Sequence, residues 1–526
     1  MFLGERRLFR FLAVATLILS QQIVALSSER NESDSASAGV KPTMGINLAG
    51  VCDWNTELPF VDVFRETREW VSQREGEGWG KGPTLELDER GWVKRLEENC
   101  WVEVPLCTIN GGHYPSGVFT VLYDGEGKIE FGNAKIVSER EGSIEIDVDS
   151  SNGPFWLRVK KTNPENYVRN VRVYLPGYGS EESRASTGVW NPDFLKRWAS
   201  MKIFRTMDWQ ATNGSKLRTW ADRPLPEDAI YSRAGLPYEV ICDFINRTDA
   251  DLWFCVPDDV DDDFVRRTAE LLKEKLDANK KVYLEYSNEV WNSSFEQNRR
   301  AAKKGRDLGF AETDWEAAWL YTARRSLEIF TIFEDAFGGT ERLIRLLPSQ
   351  SANPYVSEQI LKFEDAWRKA DALAIAPYVG WSISAEEKDE AIRLGTEGVL
   401  DRLETKILPE TIETIKKQKE LADRYGLDLV CYEAGQHLVG LWVANDDERL
   451  NSILIAANRA ERMGTIYDKY LQAWEELGGG ALCHFSSVGA WSKWGSWGLI
   501  EYADETVGDS PKYRVVLEYA NKWNER

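Results

Sequence analysis

Asn288 and Glu289 close the segment KVYLEYSNEVWN, residues 281–292, where an apolar, strand-like run gives way to an amide and a carboxyl side by side. The same Asn-Glu pair recurs at 31–32 and 524–525, but neither copy ends an apolar run. A second carboxyl group, Glu433, stands in the equivalent place in LDLVCYEAGQH, residues 427–437. Two glutamates in different surroundings can divide the work of cleaving an acetal. One, protonated, supplies a proton to the leaving oxygen, and the other, ionised, attacks the anomeric carbon. Taken singly, each also fits a helix cap or an ion pair at the rim of a fold.

Carboxyl groups this far apart in the chain meet only if the fold gathers strand ends. From about residue 191 onward, apolar runs alternate with long amphipathic segments. Runs at 201–209, 252–257, 282–289, 342–350, 372–378, 427–435 and 481–487 make seven strands, and 44–50 supplies an eighth. In the segment DDDFVRRTAELLKEKLDA, Phe264, Val265, Thr268, Ala269, Leu272 and Leu276 follow a 3.6-residue period behind a cluster of Asp. Ser293 and Glu296 have the spacing of a capping box for the next helix. Repeated strand–helix units with no glycine-rich fingerprint after the first strand predict an α/β fold, a (β/α)8 TIM barrel. Strand ends then share one rim, and Glu289 and Glu433, closing strands four and seven, face each other across it.

Residues 55–190 break the pattern. GVFTVLYDGEGKIEF, SIEIDVDS and FWLRVKK alternate in polarity between Asp-Gly, Glu-Gly and Asn-Gly turns. They predict a β-rich, sandwich-like insertion between barrel strands one and two. Barrel strand one then occupies 41–54, and residues 191–526 complete the barrel.

Composition bounds the partners. The 526-residue chain has a formal net charge of −21, which opposes nucleic acid, whose binders need a basic surface. Its 22 Trp are many; most belong to the core, and the number leans mildly toward carbohydrate, which packs on flat aromatic faces. Arg6, Arg7 and Arg10 before the apolar run 11–19 make 1–25 a secretory signal, followed by a polar linker at 26–40. The expected location is secreted or periplasmic, with no membrane span once the signal is cleaved. An uncleaved N-terminal anchor is the alternative. Seven cysteines, an odd count, read as mostly free and buried, with Cys100 and Cys107 the pair that could bridge. His113, His437 and His484 lack zinc-motif spacing, and the Asp258–Asp263 cluster reads as a helix start, so neither metal nor cofactor is expected.

The strand count, with Asn288-Glu289 after strand four and Glu433 after strand seven, resembles the clan A glycoside hydrolases over residues 44–54 and about 191–502. That resemblance implies acid/base work for Glu289, a nucleophile in Glu433, a supporting amide in Asn288, an orienting hydroxyl from Tyr378 and an arginine beneath the nucleophile, Arg205. It also implies an aromatic floor from GAWSKWGSWG, where Trp491, Trp494 and Trp497 stay open as candidates. One position departs: many members carry a His after strand three, and this chain has Asp258 and Asp259.

Other residues are read from position. Asp208 and Trp209, ending strand two, either line the cleft or form a turn. His437 either touches substrate or is structural. Glu285 shares the strand parity of Glu289 and is a buried partner for Arg205 or Arg345. The expected activity is that of a secreted retaining glycoside hydrolase cleaving a β-linked polysaccharide or oligosaccharide of β-glucan or mannan type. A non-catalytic carbohydrate (cellulose)-binding barrel is the alternative, motivated by Asp258.

Overall fold

The computed structural model describes residues 41–525. The expected signal segment and linker lie outside the described residues. Eight parallel strands close into a barrel, numbered β1 to β8 in chain order. They are β1 (Thr43–Asn47), β2 (Ile203–Arg205), β3 (Asp251–Val256), β4 (Val282–Tyr286), β5 (Leu343–Pro348), β6 (Ala372–Ile375), β7 (Asp428–Ala434) and β8 (Ala481–His484). The fold is a (β/α)8 barrel.

Every barrel strand is covered on both faces, which is why each reads in sequence as a nearly unbroken apolar run. Trp253, Cys255, Leu346, Ala374, Val430 and Cys483 fill the interior. Phe204, Phe254, Leu284, Leu373 and Leu482 point outward into the helix layer. Successive residues of one strand thus serve different layers, Trp253 inside and Phe254 outside. At Gly45 of β1, a Cβ would come within 2.6 Å of Cys483 Sγ and 2.9 Å of Ile203 Cβ, so a side chain there would push its neighbours apart.

The helix Asp262–Lys275 follows the expected period, and Asp261 caps it by accepting from the Phe264 N–H at 2.7 Å. The capping box expected at Ser293 and Glu296 does not form. The next helix runs Glu296–Asp307 with Phe295 in the cap position and no side-chain cap. Its first turn is committed instead to the loop before it: Gln297 Nε2 donates to the Asn288 carbonyl at 2.9 Å and Asn298 Nδ2 to the Val290 carbonyl at 2.7 Å.

Between β1 and β2 lie two four-stranded antiparallel sheets. One orders Val71–Arg74, Cys100–Leu106, Phe155–Thr162 and Gly127–Gly132; the other orders Arg169–Tyr174, Gly117–Asp124, Ser143–Val148 and Ala134–Arg140. Val102, Val104 and Leu157 of the first share one core with Phe119, Val121, Ile144 and Ile146 of the second, as in a sandwich. Cys100 and Cys107 are both free thiols, so the bridge weighed from sequence is not formed. Three contacts seat these sheets on the barrel. The Trp198 indole N–H donates to buried Glu57 at 2.7 Å. Arg68 makes paired bonds to Asp53 at 2.8 and 2.6 Å. The His113 ring stacks on Tyr502 with centroids 3.7 Å apart.

Candidate active site

Arg205, the last residue of β2, is fully buried and uses every donor of its guanidinium. Nε and Nη2 donate to Glu285 of β4 at 2.9 and 3.0 Å. Nη1 donates to Asn47 Oδ1 of β1 at 3.0 Å and to Glu433 Oε1 of β7 at 2.8 Å. The second hydrogen of Nη2 goes to Asn288 Oδ1 at 2.8 Å. One cation therefore ties four strands together and aims one carboxylate at the barrel mouth. Glu285 also accepts from the Trp253 indole at 2.6 Å. Arg345, the other partner weighed for Glu285, pairs with Asp371 and Glu334. Replacing Arg205 by Met leaves Glu285 buried with no countercharge. The expected loss is about 3–5 kcal/mol of stability, read from the urea midpoint, and a loss below about 1 kcal/mol would refute this account of the hub.

Glu433 owes its direction to a local irregularity. Strict alternation after Tyr432, which faces the interior, would send Glu433 outward. The pairing of β7 with β8 runs Cys431↔Leu482 and then Ala434↔His484, so β7 carries one extra residue between them. This β-bulge turns Glu433 inward onto Arg205. Its other oxygen, Oε2, accepts from the Tyr378 hydroxyl at 2.9 Å. Burial, followed by the charges of Glu433 and Glu289, holds the Tyr378 phenol well above its ordinary pKa, so it keeps its proton and donates. Burial also pushes Glu433 upward, against the pull of Arg205 and Tyr378, which favour the carboxylate.

Glu289 stands beyond the end of β4, where the chain leaves strand geometry. Ser287 and Glu289 both take positive φ, 58° and 43°, in the left-handed region, so strand parity with Glu285 does not extend to Glu289. The Gln297 and Asn298 bonds described above hold this strained loop. Glu289 Oε2 accepts from Asn292 Nδ2 at 2.9 Å. Burial, and then the negative charge of Glu433, push Glu289 up to about 8. The two carboxyl groups thus sense each other. Glu433 has a guanidinium and a phenol to stabilise its charge, whereas Glu289 has one amide, so Glu433 ionises first.

Beside the pair opens a cleft of about 920 Å³. Glu289, Glu433 and Tyr378 are not part of its lining; it meets them through Asp208 and Trp497. Asp208 is raised to about 7, by burial and then by the Glu433 charge. The Trp497 ring lies 6.1 Å from that of Tyr378 and 4.7 Å from that of His437. His437 Nδ1 is 3.2 Å from Ser382 Oγ, and burial lowers its pKa, favouring the neutral ring.

No protein-family model and no curated protein matches the sequence. Solved structures do. A 4-O-α-L-rhamnosyl-β-D-glucuronidase from Fusarium oxysporum 12S is similar at 10% identity and TM-score 0.37, over 66% of this chain and 66% of that one. An endo-1,4-β-D-mannanase from Thermotoga petrophila RKU-1 is similar at 13% identity and TM-score 0.31, over 63% of this chain and 94% of that one. A xyloglucan-specific endo-β-1,4-glucanase from a metagenomic library is similar at 11% identity and TM-score 0.33, over 65% of this chain and 92% of that one. Likenesses at this distance assign no activity.

Two residues expected at the site are elsewhere. Trp209 is fully buried in an aromatic cluster, stacked on Trp190 with centroids 5.6 Å apart and packed on Phe244 at 5.1 Å. The reason is that β2 ends at Arg205, and the turn over 206–209 carries the ring outward into the helix layer. Trp491 is buried against the side chain of Lys512, whose Nζ lies 4.1 Å from its ring centroid, with its indole N–H on the Gly498 carbonyl. Trp494 is at the cleft rim, 69% exposed, which leaves Trp497 as the tryptophan against Tyr378. Asn288 is buried, its amide engaged by Arg205 and by Asn213 Oδ1 at 3.1 Å. Asp258 is buried and paired with Arg300 at 2.8 Å; Asp259 pairs with Arg218 and Lys304.

Sequence reasoning passed over Asn47, Asn213 and Asn292. Each is a polar residue next to an apolar run, a signal shared with ordinary turns, and only the assembled barrel distinguishes them.

Proposed function

We propose that the protein is a retaining glycoside hydrolase acting on β-linked glycans of the β-glucan or mannan type. In this reading Glu433, as carboxylate, attacks the anomeric carbon while Glu289, as acid, protonates the departing glycosidic oxygen. An ester between Glu433 and the sugar results. Glu289, now ionised, takes a proton from water, which attacks the same carbon, releases Glu433 and returns the original anomeric configuration. The observation that carries the reading is the unequal environment of two charge-coupled carboxyl groups at one barrel mouth, one held by Arg205 and Tyr378, the other raised to about 8.

The remaining residues fit supporting parts. Arg205 and Tyr378 orient the nucleophile, Asn288 braces the guanidinium, and Trp497 offers a flat face beside the reacting sugar, with Asp208 and His437 near its hydroxyls. The deciding experiment is proton NMR of the first product formed from a β-glucan or β-mannan oligosaccharide. A β-anomer appearing first supports double displacement, and an α-anomer appearing first rules it out. Tyr378→Phe removes one stabilising donor from Glu433. It is expected to lower kcat/KM by about ten- to a hundredfold. Because the lost donor favoured the charged form, the acid limb of the pH profile moves to higher pH; a limb that stays in place would deny Tyr378 this part.

A further inference from the structure

We infer that the cleft between the insertion and the barrel binds the outer sugar units of a polymeric β-glycan, with Trp54 and Trp494 as its aromatic platforms. The inference rests on the glycosidase reading and deepens it. At about 920 Å³ the cleft lies toward the top of the usual range for small-molecule sites, roomy enough for more than one sugar ring. It begins at Asp208 and Trp497, beside the carboxyl pair, and continues to Arg68, Thr108 and Asn110 of the insertion. A glycan held at the carboxyl groups would therefore run on into it.

Trp54 and Trp494 line this cleft and are 59% and 69% exposed, in a chain that fully buries Trp190, Trp198, Trp209 and Trp253. Each has a cation over its ring. The Arg68 guanidinium is 5.6 Å from the Trp54 centroid, and the Lys493 ammonium is 4.8 Å from that of Trp494. Paired bonds to Asp53 fix Arg68, so the Trp54 platform is oriented before any ligand arrives. A ring held this way can stack on the C–H face of a sugar at little cost in lost freedom. Asn110 and Arg233 line the same cleft, are exposed, and make no hydrogen bond or ion pair among the described residues. Donors left open beside aromatic platforms suit a hydroxyl-rich chain.

The test is calorimetric titration of the full chain carrying Glu433→Gln with cello- and manno-oligosaccharides, from disaccharide to hexasaccharide. The titration is repeated with Trp54→Ala or Trp494→Ala added. Affinity is expected to rise with length, and each alanine to lower it about tenfold for the longest chains and far less for the disaccharides. Losses equal at every length, or no loss at any length, overturn the inference. Binding is read here without turnover, so the two readings can fail separately. Length-dependent losses with no cleavage by the wild type keep the outer sites and remove the activity. Cleavage by the wild type with undiminished binding in both alanine variants does the reverse. Failure of every oligosaccharide to bind removes the outer sites, and cleavage by the wild type then decides the activity by itself.

Discussion

On the proposed mechanism, Glu433→Ala is expected to lower kcat on a β-glycan substrate by about 10⁴-fold or more, and added azide to restore bond cleavage with an inverted product. The physical basis is the pair of donors that the truncation leaves behind. Arg205 Nη1 and the Tyr378 hydroxyl, at 2.8 and 2.9 Å from the two carboxylate oxygens, remain aimed at an emptied anion site. A small anion held there occupies the nucleophile's place and attacks the anomeric carbon once, from the same face. One displacement inverts, where two retain. Product analysis by NMR reads the outcome directly. Undiminished turnover would remove Glu433 as nucleophile, and rescue with retention would assign it the proton-transfer part instead.

Glu289→Ala produces a different defect. Glycosides with poor leaving groups slow by about 10²–10⁴-fold, because their oxygen departs unprotonated. Aryl glycosides with strongly acidic phenols lose much less in the bond-breaking step, since they need no proton. Azide now gives a retained product, because Glu433 still forms the ester and the anion replaces water in the second displacement. The pH profile supplies a further check. Burial, then the Glu433 charge, raises Glu289 from 4.5 to about 8, and an acid works only while protonated. Wild-type kcat/KM therefore holds as pH rises toward about 8 and falls above it, and the variant lacks this basic limb. A basic limb that survives the substitution belongs to another group, and the acid must then be sought elsewhere.

The barrel was legible because strands buried on two faces leave continuous apolar runs, and all eight runs correspond to barrel strands. Strand-end position singled out Glu289 and Glu433 as candidates, whereas Arg205 entered through the family resemblance, and the structure joins Arg205 and Tyr378 to Glu433 by hydrogen bonds. What the sequence hid was direction. The run containing Trp209 is apolar to its end, but the strand stops at Arg205, and beyond a strand's end alternation no longer says which way a ring points. Glu433 illustrates the converse: alternation alone would have turned it away, and the one-residue bulge in β7 is written in no local pattern. The three tryptophans of GAWSKWGSWG differ only in what surrounds them in the fold. One meets a buried lysine, one meets solvent and one meets Tyr378. The cap of the helix Glu296–Asp307 was misread for a related reason, since its first-turn amides serve the loop that carries Glu289.

The pairing of β1 with β8 has a consequence for synthesis. Thr43–Ile46 cannot meet its partner, Ala481–His484, until the chain through β8 has left the ribosome. Through that interval β1 offers an unsatisfied backbone edge to any passing strand, the hazard that makes late-closing sheets prone to clump. Closure of the barrel is thus a vulnerable step of synthesis, and truncations that remove β8 are expected to yield precipitate rather than a folded barrel.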